Sequence, residues 1–567
     1  MEQENIDNLL DDESKANQKK KTRIFIGLAI LLIVVIIIII IIIATGKSGD
    51  DEKDKINPPS PSDQSSYKPT SFEIVKFPEG IIYNGKGIFS KTGKILLSYT
   101  KQNDNNTYIG VMNSDGTNLK QLWGGIWKSY YHSNGFRLMP FDDNKKILTG
   151  DYILECSPNI DECSSSCELL PVIYPPEVVN MEGVTRVWSE IIISPDEHIG
   201  WSTLSDVYEN VNFIAKLQKN NANYTMTNVQ IISTIGLIEY EDKSKGIIKP
   251  TSIRGGEIKQ FVNGGEALTL AGAGKQGLVK SVFQDLLTDD HYQITYYTGY
   301  EETTIISPDG KLGLVMTTRF SPKTSSEILG IMPRPFSSYT LSKMSMFVYF
   351  YGIINVRNNR AGNIGPAAIN ITESIKNEAY MGYDLHEEGW AFNSPISWHP
   401  NSKKAMFSET AQNGDEKGKK RIRIVNFDNY IPSEIIKNKK TPDNIPYAKG
   451  LDALKEPFEK EFNGYFQGKE GIIIFNRTKE TTRSEYKNYS EDGKTYYNGF
   501  EQCEHGSQTV GRFISDVTMT GENEGKMDLT LTMNINGQVI YEQDGKKMTY
   551  GYVYYKGKNI TVEESYN

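Results

Sequence analysis

The sequence predicts an all-β protein: a six-bladed β-propeller, then an antiparallel β-sandwich or small barrel, with one transmembrane helix at the N-terminal end. Three observations predict it. The 33 Tyr far outnumber the 6 Trp and Gly is frequent at 49, in runs of Thr, Ile and Val broken by turn residues, a composition that favours strands. One strand–turn–strand frame recurs six times. A single uncharged apolar run stands near the start of the chain.

That run, Ile24 to Ala44, is 21 residues long and contains eight consecutive isoleucines. At ~1.5 Å per residue it can cross a ~30 Å hydrocarbon core. A buried soluble helix would keep a polar face, and this segment has none. No small-x-small cleavage site follows it. Lys19, Lys20, Lys21 and Arg23 precede it, and Asp50, Asp51 and Glu52 follow. The positive-inside rule then makes residues 1–23 a cytoplasmic tail and places everything beyond the helix outside or in a lumen, at the cell membrane or a secretory-pathway membrane. Residues 45–71, rich in Asp, Lys, Ser and Pro, read as a disordered stalk.

The repeats fill residues 72–446. The frames are "GIFSKTGKILLSY", "LMPFDDNKKILTG", "IIISPDEHIGWST", "IKQFVNGGEALTL", "TIISPDGKLGLVM" and "ISWHPNSKKAMFS". Their turns begin at Ser90, Asp142, Ser194, Val262, Ser307 and His399, with spacings of 52, 52, 68, 45 and 92 residues. Regular spacing of about 40–50 residues in a β-rich chain is a propeller pattern. The wider gaps imply insertions, and "MPRPFSSYTLSKMSMFVYFYGIINV" in the widest reads as a helix or lid. Beyond it, residues 447–567 alternate as short strands with turns such as Glu491-Asp492-Gly493 and Gln543-Asp544-Gly545. This segment reads as an accessory or sugar-binding module.

The repeat units resemble the TolB-like, WD40-like repeat, a strand followed by S-P-D-G-K and another strand. In that family the strand before the turn is the innermost of its blade. The longer strings "RGGEIKQFVNGGEALTLAGA", "GYEETTIISPDGKLGLVMTTRFSPKT" and "DYILECSPNIDECSSSCELLPVIYP" resemble the fungal saponin-hydrolase family. That resemblance implies a glycosidase removing a glucuronic acid-linked sugar chain from a triterpenoid saponin.

If the strand before each turn is innermost, its first residues lie at one channel mouth. Consecutive units supply Glu190, Glu257 and the pair Glu301/Glu302 there, while "HSNGFR" supplies His132 and Arg137, and Arg254 stands near Glu257. Glycoside hydrolysis needs one protonated and one ionised carboxyl, and acids crowded in a channel push each other's proton affinities apart. Glu190, Glu257 and Glu302 are therefore the candidate catalytic residues. Glu301, Arg254, Arg137 and His132 are candidate substrate ligands, an arginine there suiting a uronate carboxylate. The competing reading is a cell-surface propeller that binds a glycan or protein without turnover, its channel charges paired with one another. The turn residues Asp196, Asp309 and His399 read as structural, and His198 and His291 as exposed.

Other classes fit poorly. No G-x-S-x-G elbow follows the propeller, which disfavours a prolyl oligopeptidase-like peptidase. No phosphate loop, zinc motif or cofactor fingerprint occurs, so no cofactor or metal is expected. A net charge of −9 makes nucleic acid an unsuitable partner. Four cysteines, Cys156, Cys163, Cys167 and Cys503, suggest two disulfides in an oxidising compartment, one inside the cluster of three and one joining Cys503 to the remaining member; a zinc site is the rival. Sequons at Asn105, Asn223, Asn370, Asn476, Asn488 and Asn559 all lie beyond the apolar run and are candidate glycosylation sites.

Overall fold

The structure is a computed structural model. It describes residues 67–566 except 132–136, 164–166, 206–209, 235–239, 250–253, 275–277, 322–325, 336–363, 456–460, 479, 506–509 and 535–537. The expected cytoplasmic tail, the expected membrane helix, most of the expected stalk, and all but the first four residues of the expected lid lie outside the described residues. Among the described residues no helix is long and apolar enough to cross a membrane.

The chain is all-β. Among the described residues six four-stranded antiparallel units follow one another along the sequence. Their first strands are Ile81–Phe89, Leu138–Pro140, Val184–Ile193, Glu257–Val262, Glu301–Ile306 and Trp390–Trp398. Each of the six repeated frames is the hairpin between the first and second strands of one unit. Units 2 and 3 also meet edge to edge, where Tyr224 and Thr225 pair in parallel with Val172 and Ile173. The sixth unit takes its fourth strand from the other end of the chain: Ser71–Ile74 pairs with Lys420–Asn426, Ser71 opposite Asn426.

A four-stranded sheet has two faces to bury, and alternation along each strand supplies apolar side chains to both. Ile95, Leu97 and Met112 of unit 1 pack on Met406, Ile422 and Ile424 of unit 6. The opposite face, with Leu96, Ile109 and Val111, packs on Ile147 and Leu154 of unit 2. Further apolar clusters join units 2 and 3, 3 and 4, 4 and 5, and 5 and 6. Each unit thus packs on the next, and unit 6 packs back on unit 1.

Pairing slips by a bulge in five of the first strands, between Tyr83 and Lys86, Arg186 and Glu190, Ile258 and Gln260, Glu301 and Thr304, and Asn393 and Ile396. A bulge breaks the strict alternation and re-aims the side chains beside it. Lys86, Glu190, Lys259 and Glu302 all sit at these slips.

Among the described residues the C-terminal strands form neither a sandwich nor a closed barrel of their own. Most of them join one sheet of ten strands whose order starts at Tyr240–Asp242 and Ile247–Ile248, contributed by the insertion after unit 3, and ends at Lys558–Thr561; it is antiparallel except where Ile247 pairs in parallel with Tyr465. Its apolar face, with Phe513, Val517, Met519, Met527, Leu529 and Leu531, is buried by Ile328, Leu329, Ile331 and Met332 of the unit 5 insertion instead of by a second sheet. Arg334 follows them into this interior, where its Nε donates to Glu501 Oε1 at 2.5 Å and Tyr486 donates to the other oxygen at 2.8 Å.

Candidate functional site: a channel cavity with a charged end

The six first strands surround a cavity of about 630 Å³, and Ile88, Met139, Ile193, Phe261, Ile306 and Trp398, one from each strand, are among its wall residues. The turn-side mouth is crossed by residues 430–447, which leave unit 6 and run over the turns of units 5, 4, 3 and 2. Ile436 N donates to Pro308 O at 3.0 Å and Lys439 N to Gly264 O at 2.9 Å. Gly310 has φ 76°, and a Cβ there would stand 2.7 Å from Ile436 Cδ1, so the strap lies directly on that turn. The turn aspartates hold it. Asp309 Oδ1 accepts from Ser307 within its own turn, while its Oδ2 accepts from Tyr430 and, at 3.1 Å, from Ser433 N. Asp196 Oδ2 accepts from Thr441 N at 3.0 Å. His198, expected to be exposed, is buried with its ring between Asp196 and Asp443, at 3.1 and 3.2 Å; burial under the strap is the reason. His291 is half-buried.

Lys259 and Arg137 line the cavity, and they meet the predicted acids. Lys259 Nζ lies 3.0 Å from Glu190 Oε1, 2.9 Å from Glu257 Oε2 and 3.1 Å from Glu302 Oε1. Arg137 donates to the same Glu190 oxygen at 2.6 Å, and Tyr300 OH to Glu302 Oε2 at 2.8 Å. Through the shared ammonium the three bound oxygens stand no more than about 6 Å apart. Among the described residues the second oxygen of Glu190 is buried with no hydrogen-bond partner.

Burial raises the Glu190 carboxyl above the ordinary glutamate range, against the pull of Arg137 and Lys259. Burial also works to discharge Lys259, but the three carboxylates together outweigh it and hold its proton more tightly than in a free lysine. Lys86 is pushed down to about 8 by burial and by Arg137, with Glu190 opposing.

The other predicted ligands lie elsewhere. Glu301 and Glu302 are adjacent on one strand and point to opposite sides. Glu301 is fully buried against Arg319, whose Nε donates to Oε1 at 2.6 Å, with Lys280 at 3.7 Å from Oε2. Arg254 pairs with Asp289 at 2.5 Å and stacks on Tyr447 at 4.6 Å; it stands before the Glu257–Val262 strand, where its backbone pairs with Thr234, and so does not join the acids. His132 lies outside the described residues.

The sequence reading missed Lys259, the residue that gathers the acids. Its signal is visible in "EIKQFV": Glu257 and Lys259 are two apart in one strand, with apolar Ile258 between them, hence on one face.

The cysteines and sequons also sort themselves. Cys163 and Cys167 form a disulfide, while Cys156 and Cys503 do not. The expected bond from Cys503 to the cluster is absent, because Cys503 is buried in the core of the C-terminal sheet and Cys156 in the core between units 1 and 2. Asn105, Asn476, Asn488 and Asn559 are exposed and Asn223 is half-buried. Asn370 is buried and accepts from Glu373 N at 2.9 Å as a helix cap, a position with no room for a glycan.

No family model matches the chain, and no curated protein matches it. Solved structures do. A putative TolB from Agrobacterium tumefaciens aligns at 11% identity over 58% of this chain and 92% of that one, with a TM-score of 0.31. TolB from Acinetobacter baumannii aligns at 12% identity over 58% of this chain and 61% of that one, with a TM-score of 0.29. Oligogalacturonate lyase from Vibrio parahaemolyticus aligns at 12% identity over 63% and 96%, with a TM-score of 0.32. Scores this low carry no argument about what this chain does.

Proposed function

We propose that the chain is a six-bladed β-propeller, anchored by the 24–44 helix with all later residues outside the cytoplasm, that binds an amphipathic glycoside in its central channel without turning it over. The observation that carries this reading is the cavity itself, with apolar walls from all six units and a charged end at Lys259 and Arg137. Such a pocket suits a ligand with an apolar body and one polar end. The resemblance to saponin hydrolases supports a triterpenoid glycoside as the ligand class. Turnover is disfavoured because each of the three acids is held by Lys259, and Glu190 by Arg137 as well, so none stands ready to exchange a proton with a substrate.

One specific observation favours the second reading, glycoside hydrolysis. Glu190 keeps its proton to higher pH than an ordinary glutamate, has a buried oxygen without a partner, and stands near two other carboxylates. Retaining glycosidases place their two carboxyls about 5–5.5 Å apart. The experiment is a screen of the full-length protein against alkyl and triterpenoid glycosides, glucuronides included, measuring both binding and release of sugar. Saturable binding with no released sugar supports the binding reading. Released sugar, lost in folded Glu190→Gln, Glu257→Gln or Glu302→Gln protein, establishes hydrolysis instead; general acid–base loss alone costs about 10²–10⁴-fold in rate.

A further inference from the structure

Three cysteines meet at the loop end of a hairpin in unit 2. Strands Tyr152–Glu155 and Glu168–Ile173 pair antiparallel, with Leu154 opposite Leu169 and Glu155 opposite Glu168. The next position outward on each strand is Cys156 and Cys167, so the ladder itself brings these two side by side. Cys156 Sγ lies 3.2 Å from Cys167 Sγ, although Cys167 is bonded to Cys163. All three sulfurs fall within 4.8 Å of one another. Ile147, Leu154 and Ile160 pack around them, which keeps other thiols away from Cys156 and Cys163.

We propose that this trio is a thiol–disulfide exchange site in which Cys167 is shared, its partner alternating between Cys163 and Cys156. The step is internal and balanced. Cys156 gives up its proton and its sulfur attacks Cys167 Sγ. The Cys156–Cys167 bond forms as the Cys163–Cys167 bond breaks, and the electron pair leaves on Cys163, which takes up a proton. No oxidant or reductant is consumed. The exchange moves the covalent link from within the connecting loop to a clamp across the base of that loop, and it closes a longer loop, which constrains the unfolded chain more.

The surroundings set the rate. Burial pushes the Cys156 thiol up to about 12, with Glu155 adding to it and Lys120 opposing. Only about 10⁻⁵ of it is thiolate at pH 7, so exchange is slow there and gains about tenfold per pH unit.

The test is acid-quenched alkylation and non-reducing peptide mapping of the full-length chain, with Cys503 as an internal standard for a buried thiol. Cys167 stays protected, while Cys156 and Cys163 are alkylated in complementary fractions that sum to one thiol. Cys163→Ser protein forms the Cys156–Cys167 bond, and Cys156→Ser protein keeps Cys163–Cys167. Both variants retain a disulfide, and their melting temperatures establish that they fold. Raising the pH from 7 to 9 speeds the return to the equilibrium mixture after a jump by about 100-fold. Three results overturn the proposal: Cys156 fully alkylated with Cys163 never touched, Cys163→Ser protein with Cys156 and Cys167 both as thiols, or one zinc ion bound per chain with no disulfide among the three.

Discussion

Lys259 Nζ sits 3.0 Å from Glu190 Oε1, and both side chains are almost completely buried. The same ammonium holds Glu257 and Glu302. Removing it leaves three carboxylates facing one another, with Arg137 on one of them. Breaking a buried pair from one side costs on the order of 3–5 kcal/mol, far more than the pair itself contributes. Lys259→Met should therefore lower the urea midpoint strongly at pH 7. It should recover much of the loss near pH 5, because the freed carboxyls then take up protons. A variant as stable as the parent at pH 7 contradicts the charge-locked site.

A second lysine gives a pH signature on the alkaline side. Lys280 is fully buried beside Glu301 and Arg319, and its Nζ donates to the carbonyls of Tyr297 and Gly299. Burial pushes it down to about 8 from an ordinary value of 10.5, and Arg319 adds to this while Glu301 opposes. Between those two values the unfolded chain binds the proton that the folded chain has lost, so this lysine makes stability rise with pH across that window. Lys86, also pushed down to about 8, contributes in the same window. Urea midpoints at pH 7.5 and 9.5 measure the rise, and Lys280→Met should reduce it. An unchanged slope in that variant rejects the assignment.

Much of this architecture was legible in the residues. The six turn frames were readable because the Ser-Pro-Asp-Gly type of turn fixes a hairpin locally, and all six fall where the frame put them. The convergence of Glu190, Glu257 and Glu302 was legible for the same reason, since each stands a short, countable distance before its turn. Neighbours on a strand face opposite sides, so Glu301 and Glu302 had to separate; which of the two joins Glu190 and Glu257 was not legible, because the bulge between Glu301 and Thr304 upsets the alternation counted back from the turn. Arg254 was misplaced for another reason: it precedes the Glu257–Val262 strand, so the strand pattern assigns it no face. The burial of the C-terminal sheet by residues 328–332 depends on contacts across more than a hundred residues of chain, which no local pattern encodes. Ser71–Ile74 completing unit 6 is equally long-range.

The strap across the turns makes a prediction about mobility. Asp309 binds Tyr430 and Ser433 with one oxygen and its own turn with the other. Tyr430→Phe removes one strap bond and leaves the turn intact. It should cost about 1 kcal/mol and speed proteolytic cleavage within 430–447, with the rest of the chain as resistant as before. Cleavage rates equal to the parent's exclude a holding role for Asp309.

The most direct measurement of the central claim is calorimetric titration of the full-length protein and of Ile306→Trp with a triterpenoid glucuronide. Ile306 lines the cavity, and an indole there fills space that the ligand's apolar body needs. The parent should bind saturably without releasing sugar. The variant, with its melting temperature within a few degrees of the parent's, should bind at least about tenfold more weakly, equivalent to about 1.4 kcal/mol. Equal affinity in the two proteins, or no binding by the parent to any glycoside in the panel, contradicts the channel as the ligand site.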